Sequence, residues 1–98
     1  MKVEILDEAE QDLIEGFRFY EAQAGGLGDY FLDSLFSDID SLQLCAGIHP
    51  LHLGQHRLLA KRFPFAVYYK VDGSVARVNA VLDCRRDPAW IQERLGSE

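Results

Sequence analysis

The sequence predicts an α+β domain of two layers, a helical hairpin packed on a small, mainly antiparallel sheet, in the order β-α-α-β-β-β-α. Three observations carry that expectation. Apolar residues recur at helical spacing on both sides of a glycine turn, Gly25-Gly26-Leu27-Gly28. Residues 55–82 then carry strand-type apolar runs that meet at Asp72-Gly73, the strongest hairpin signal in the chain. Finally Pro88, preceded by Asp87, suits the first turn of a closing helix.

Val3-Glu4-Ile5-Leu6 is a short strand candidate. Asp7 fits a helix N-cap, with Glu10 three positions on as a capping box requires. Ala9, Leu13, Phe17, Tyr20 and Ala24 then recur at helical spacing, widened by Ile14, which predicts a helix over 7–24. Asp7, Glu8, Glu10 and Asp12 crowd its first turns, where the helix dipole favours negative charge. Gly16 costs that helix about 1 kcal/mol against alanine and so marks a close helix–helix approach. A second helix opens at Asp29 and carries Phe31, Leu35, Ile39 and Leu42, flanked by Leu32 and Phe36. So short a link makes the two helices antiparallel.

Gly47 to Gly54 reads as a loop. Strand character runs from Gln55 to Phe63, is interrupted by Pro64, and resumes from Phe65 to Val71. Val75 to Leu82 is the partner strand. Its alternation places Ala76, Val78, Ala80 and Leu82 on one face, and Arg77, Asn79, Val81 and Asp83 on the other. Ile91 and Leu95, with Trp90 beside them, dock the last helix.

The 98 residues make one domain, 1–98, and 48% hydrophobic content excludes disorder. No apolar run approaches the roughly 20 residues of a membrane span, and Met1-Lys2-Val3-Glu4 does not open a signal peptide, so the expectation is a cytoplasmic protein without membrane contact. Cys45 and Cys84 have no CxxC spacing and read as two buried thiols. The net charge of −6 is polarised. Residues 1–50 hold two cations against eleven acids, a balance of −9, and residues 51–98 hold eight against five, a balance of +3. Acids thus gather on the helices and cations on the strands, while a pI near 4.9 argues against broad nucleic-acid binding.

The chain has no phosphate-binding glycine loop, zinc-protease helix or nucleophile elbow. Gly25 to Gly28 lies between helices, and the Asp29, Asp33 and Asp38 that follow would repel phosphate. His49, His52 and His56 have helical spacing, but Pro50 and Gly54 break the helix, so no metal and no cofactor is expected. The cations Arg57, Lys61, Arg62, Arg77, Arg85 and Arg86 remain, at a sheet rim, with Trp90 nearby. They suit binding of acidic side chains of a partner chain. Alternation along a strand to Phe63 sends Arg57 and Lys61 to one face and Arg62 to the other. The other use of such cations is to stabilise a phosphorane in metal-free RNA cleavage, with His56, Arg57 and Arg85 as the catalytic candidates.

Ala9…Asp12-Leu13…Tyr20, Gly26-Leu27-Gly28 before Phe31, Arg57 in a strand, Phe63-Pro64-Phe65…Tyr69, and Ala80-Val81-Leu82-Asp83…Arg85-Arg86-Asp87-Pro88…Trp90 occur in one order and spacing. In these pieces the chain resembles the RelE/ParE superfamily, the toxins of bacterial type II toxin–antitoxin systems. The resemblance implies a cognate antitoxin as partner, with promoter DNA contacted only through it. RelE-like members are ribosome-dependent mRNA endoribonucleases, and ParE-like members inhibit DNA gyrase. The low pI, and Trp90-Ile91-Gln92 where nucleases place a tyrosine or histidine, make this chain resemble the ParE-like branch. The alternatives are a RelE-like nuclease acting on the ribosome and mRNA, and a non-toxic antitoxin-binding module.

Overall fold

The computed structural model describes residues 1–96. Strand β1 (Lys2–Ile5) leads into α1 (Asp7–Glu21), α2 (Leu27–Asp40) and a single turn, α3 (Leu42–Cys45). The sheet follows as β2 (Leu51–His52), β3 (Gln55–Leu59), β4 (Phe65–Asp72) and β5 (Val75–Asp83), and α4 (Pro88–Gly96) closes the chain. The spatial order is β1-β5-β4-β3-β2, with only the β1–β5 pair parallel. The α+β class and the mainly antiparallel sheet hold. The short elements α3 and β2 are additions to the expected order.

The helical hairpin closes because its crossing is made of glycine. A Cβ built on Gly16 would stand 2.5 Å from the ring of Phe31, and one on Gly28 would stand 2.8 Å from the carbonyl oxygen of Phe17. Phe31 is fully buried, and its ring centroid lies 5.2, 5.1 and 4.9 Å from those of Tyr20, Phe63 and Phe65. Each such pair adds about 0.5–1.5 kcal/mol beyond area burial, so this aromatic set locks the hairpin to the sheet.

Several expectations are corrected. The first helix ends at Glu21 instead of Ala24, and Glu21 itself explains the stop. Its carboxylate accepts hydrogen bonds from the Gly26 and Gly28 amides at 3.1 and 2.9 Å, capping α2 from the end of α1. Asp7 is the first helical residue, and the cap position is Leu6, so the expected Asp7–Glu10 capping box does not form. Ile14 and Phe36 are exposed, and Asp12 and Asp38 are buried in their stead.

The loop expected over 47–54 contains β2, joined to β3 by Leu53 and Gly54 at φ 54° and 83°. Strand β3 stops at Leu59, four residues early. There the chain turns, with the Ala60 amide on the Phe65 carbonyl at 2.8 Å and the Lys61 amide on the buried Asp38 carboxylate at 3.2 Å. The β4–β5 hairpin pairs Asp72 with Val75 and Tyr69 with Val78, so Gly73 and Ser74 form the turn. Gly73 takes φ 61°, as the first position of a II′ turn requires.

The largest correction is a β-bulge. Tyr68 pairs with Ala80 and Tyr69 with Val78, leaving Asn79 as the extra residue on β5. The bulge reverses the phase of the strand. Ala76, Val78 and Val81 therefore face the helices, while Ala80 and Leu82 face the other way with Ala66 and Tyr68. There Ile91 and Leu95 of α4 cover them. No described helix is long and apolar enough to cross a membrane.

Candidate functional site

Strand β1 pairs with β5 only from Val75 to Val78. Beyond the bulge β5 therefore presents an open edge, and a groove runs along it between α1 and α4. Its walls are Gly16 and Phe19 of α1, Phe65 and Leu82 of the sheet, and Arg86 and Trp90 at the far side. The groove encloses about 200 Å³. That is below the roughly 300 Å³ at which drug-sized ligand sites begin, and it suits an anchor side chain of a partner peptide.

The ends of the groove are set by charge. Asp12, 8% exposed, accepts the Val81 amide at 3.0 Å and both guanidinium nitrogens of Arg94 at 2.9 and 2.8 Å. One carboxylate thus serves the sheet edge and latches α4 to α1. The Arg86 guanidinium carbon lies over Trp90, 4.2 Å from its ring centroid, and no described carboxylate forms an ion pair with it. Asp87 caps α4 as expected, through the Ala89 amide at 3.0 Å. This orients Trp90, three residues on.

The other sequence-predicted residues do not converge here. Arg85 turns back on Asp83 through two guanidinium nitrogens, at 3.0 and 2.7 Å, and reaches the Tyr20 hydroxyl. That bond holds the Asp83 carboxyl below its ordinary range. Arg77 is taken up by Glu4 and Asp72 at 3.1 and 2.9 Å. Arg57 stands opposite Tyr68 on the face that α4 partly covers. Lys61 and Arg62 lie in the loop after β3, so strand alternation does not govern them. Cys84 is exposed beyond the end of β5 and Cys45 is half-buried, not two buried thiols. Sequence reasoning missed Asp12, Arg94 and Phe19. Asp12 had a signal, an acid on the apolar stripe of α1, but its partners are 69 and 82 residues away.

The three catalytic candidates are separated as well. His56 stacks on Tyr69 on the helix-facing side, with ring centroids 5.1 Å apart, while Arg57 faces the other side and Arg85 stands at the rim beyond β5. The histidines are structural ties. Tyr69 Oη accepts the Gly47 amide at 2.9 Å and bonds His49 Nδ1, and His56 Nδ1 donates to the His49 carbonyl at 2.7 Å. No group of described histidines, cysteines and carboxylates could hold a metal ion.

Burial, and then the neighbouring His56, hold the pKa of His49 below its ordinary 6.5. The unfolded chain takes up this proton near pH 6.5, the folded chain only at lower pH. The contribution is therefore complete above about pH 6.5 and is lost as pH falls through the folded value. Urea midpoints should decline below about pH 6.5, and less steeply in His49→Gln. An identical decline in that variant would assign the effect to other groups.

No protein-family model matches the sequence, and no curated protein aligns with it significantly. Among solved structures, the chain is similar to a chain of the chromosomal ParDE TA system from P. aeruginosa, with a TM-score of 0.75 and 20% identity. The alignment covers 83% of this chain and 92% of that one. An identity this low, with the shape so well kept, speaks to architecture, and on that evidence the chain has the RelE/ParE-like fold.

Proposed function

We propose that this chain is the toxin-type subunit of a bacterial toxin–antitoxin pair, and that a segment of its antitoxin seats in the groove between α1 and α4. The observation that supports the reading is the combination, along one open strand edge, of an apolar floor and the Arg86–Trp90 platform. An extended or helical peptide places an apolar anchor against Phe19 and Trp90, and a carboxylate on Arg86. Apolar burial supplies most of the affinity, and the charge supplies register and on-rate. Arg85 contributes little, because Asp83 already neutralises it. The same surface, freed of antitoxin, is the one offered to a cellular target. DNA gyrase is the target implied by the resemblance, and inhibition by binding fits a site whose acid–base candidates stand apart.

The test uses the protein encoded by the reading frame next to this one, co-expressed with the chain. Expression of the chain alone should arrest growth and inhibit gyrase supercoiling in vitro, and co-expression should relieve both. Trp90→Ala should raise the dissociation constant about 30-fold, as an interface hot spot does. Arg86→Glu should act in the same direction, and Arg85→Ala should have a small effect. Wild-type affinity in both Trp90→Ala and Arg86→Glu would remove the groove from the mechanism.

A further inference from the structure

The edge of the sheet opposite the groove has an unusual composition. Residues 41–56 contain no aspartate, glutamate, lysine or arginine, in a chain that is 27% charged. Within that stretch Leu44, Ile48, Leu51 and Leu53 expose large apolar side chains, with Ile48 73% and Leu51 67% exposed. Charge is one of the means by which proteins protect a sheet edge, and residues 41–56, which include the two-residue edge strand β2, carry none. The segment is also held rigidly. Gly47 and His49 are tied to Tyr69, and His56 to the His49 carbonyl, so the apolar surface is presented on a fixed backbone.

Leu53 is a second, independent observation. It is the one described non-glycine residue at positive φ, 54°, and it occupies the first position of the two-residue turn between β2 and β3. Both positions of such a turn favour asparagine, aspartate or glycine. A leucine in left-handed conformation is disfavoured, and here the residue is 48% exposed and belongs to neither buried cluster. A hairpin tip that keeps an unfavourable leucine in solvent is shaped for something that covers it.

We infer that this edge is where two copies of the chain associate, through a two-fold axis beside Leu51. Hairpin alternation fixes the backbone geometry. His52 pairs with Gln55, and Pro50 accepts the Arg57 amide, so Leu51 between them turns its N–H and C=O outward. Leu51 of one copy and Leu51 of the other form an antiparallel hydrogen-bonded pair, with Ile48 and Leu53 packed around it. Charge selects the occupant. The chain carries −6, and its acidic helical face repels its own copy. The neutral edge is the surface on which two copies meet without like charges opposed, and it offers no charge to recruit an acidic or a basic partner. The patch is small, so the dimer is weak and reversible.

Sedimentation equilibrium of the purified full-length chain at neutral pH, from about 10 µM to about 1 mM, tests this. A reversible dimer is expected. Leu51→Glu should weaken it at least tenfold. Leu53→Asn should weaken it similarly while raising the melting temperature of the dilute monomer by about 4 °C, since it relieves the turn. Ile14→Glu on α1 and Arg86→Glu in the groove should leave it unchanged. A monomer over the whole range overturns the inference, as does a dimer that persists in Leu51→Glu and Leu53→Asn.

Discussion

Asp12→Ala should cost about 3 kcal/mol of stability, a large share of the roughly 5–15 kcal/mol available to a domain of this kind. Two losses combine. The Val81 amide, on a buried residue of β5, loses its acceptor at 3.0 Å. The Arg94 guanidinium loses a bidentate carboxylate in a half-buried position. A stranded buried donor alone costs about 1–3 kcal/mol. Urea unfolding monitored by circular dichroism reads the loss. The variant should also release α4, so Trp90 fluorescence should shift to the red before the main transition. A loss under about 1 kcal/mol would mean that water replaces the carboxylate at this edge without penalty.

Gly28→Ala should destabilise the protein by about 2 kcal/mol, even though alanine ordinarily gains about 1 kcal/mol over glycine within a helix. The sign follows from what the added methyl meets. A flexible side chain could move, but the Phe17 carbonyl oxygen at 2.8 Å belongs to the backbone of α1, and the Phe17 ring stands at 2.7 Å. The helices must separate, which loosens the packing around Phe31. Gly25→Ala is the control, because nothing lies within 4 Å of a Cβ there. It should be neutral or slightly stabilising. Equal effects at the two positions would show that the hairpin crossing is soft.

Much of the architecture was legible because it rests on local chemistry. The stripe Phe31, Leu35, Ile39 and Leu42 is buried as its spacing required. Gly16 proved to be a contact point, the helical hairpin closed at the glycine run, and Asp87-Pro88 started α4. The contact of Gly16 is with Phe31 of the next helix, but the cost of a glycine inside a helical stripe is itself a local signal, and the other features depend on residues close in sequence. The candidate site was half legible. Arg86 and Trp90 could be named from the chain, because they cluster at a strand end. Their separation from Arg77 and Arg85 could not, because it depends on which carboxylate each guanidinium finds.

By itself the sequence determined the class of the fold, the two long helices, the β4–β5 hairpin and the position of the last helix. Periodicity, turn chemistry and helix capping act over short separations, and they leave a pattern in the chain. The tertiary structure decided the phase of β5 beyond Asn79, the early end of β3, the short strand β2 and the Asp12–Arg94 latch. A bulge is written in the partner strand, a strand end in a distant Asp38, and an ion pair in two residues far apart in sequence. These features are pairings between distant segments, and only the folded chain brings the two halves of each together.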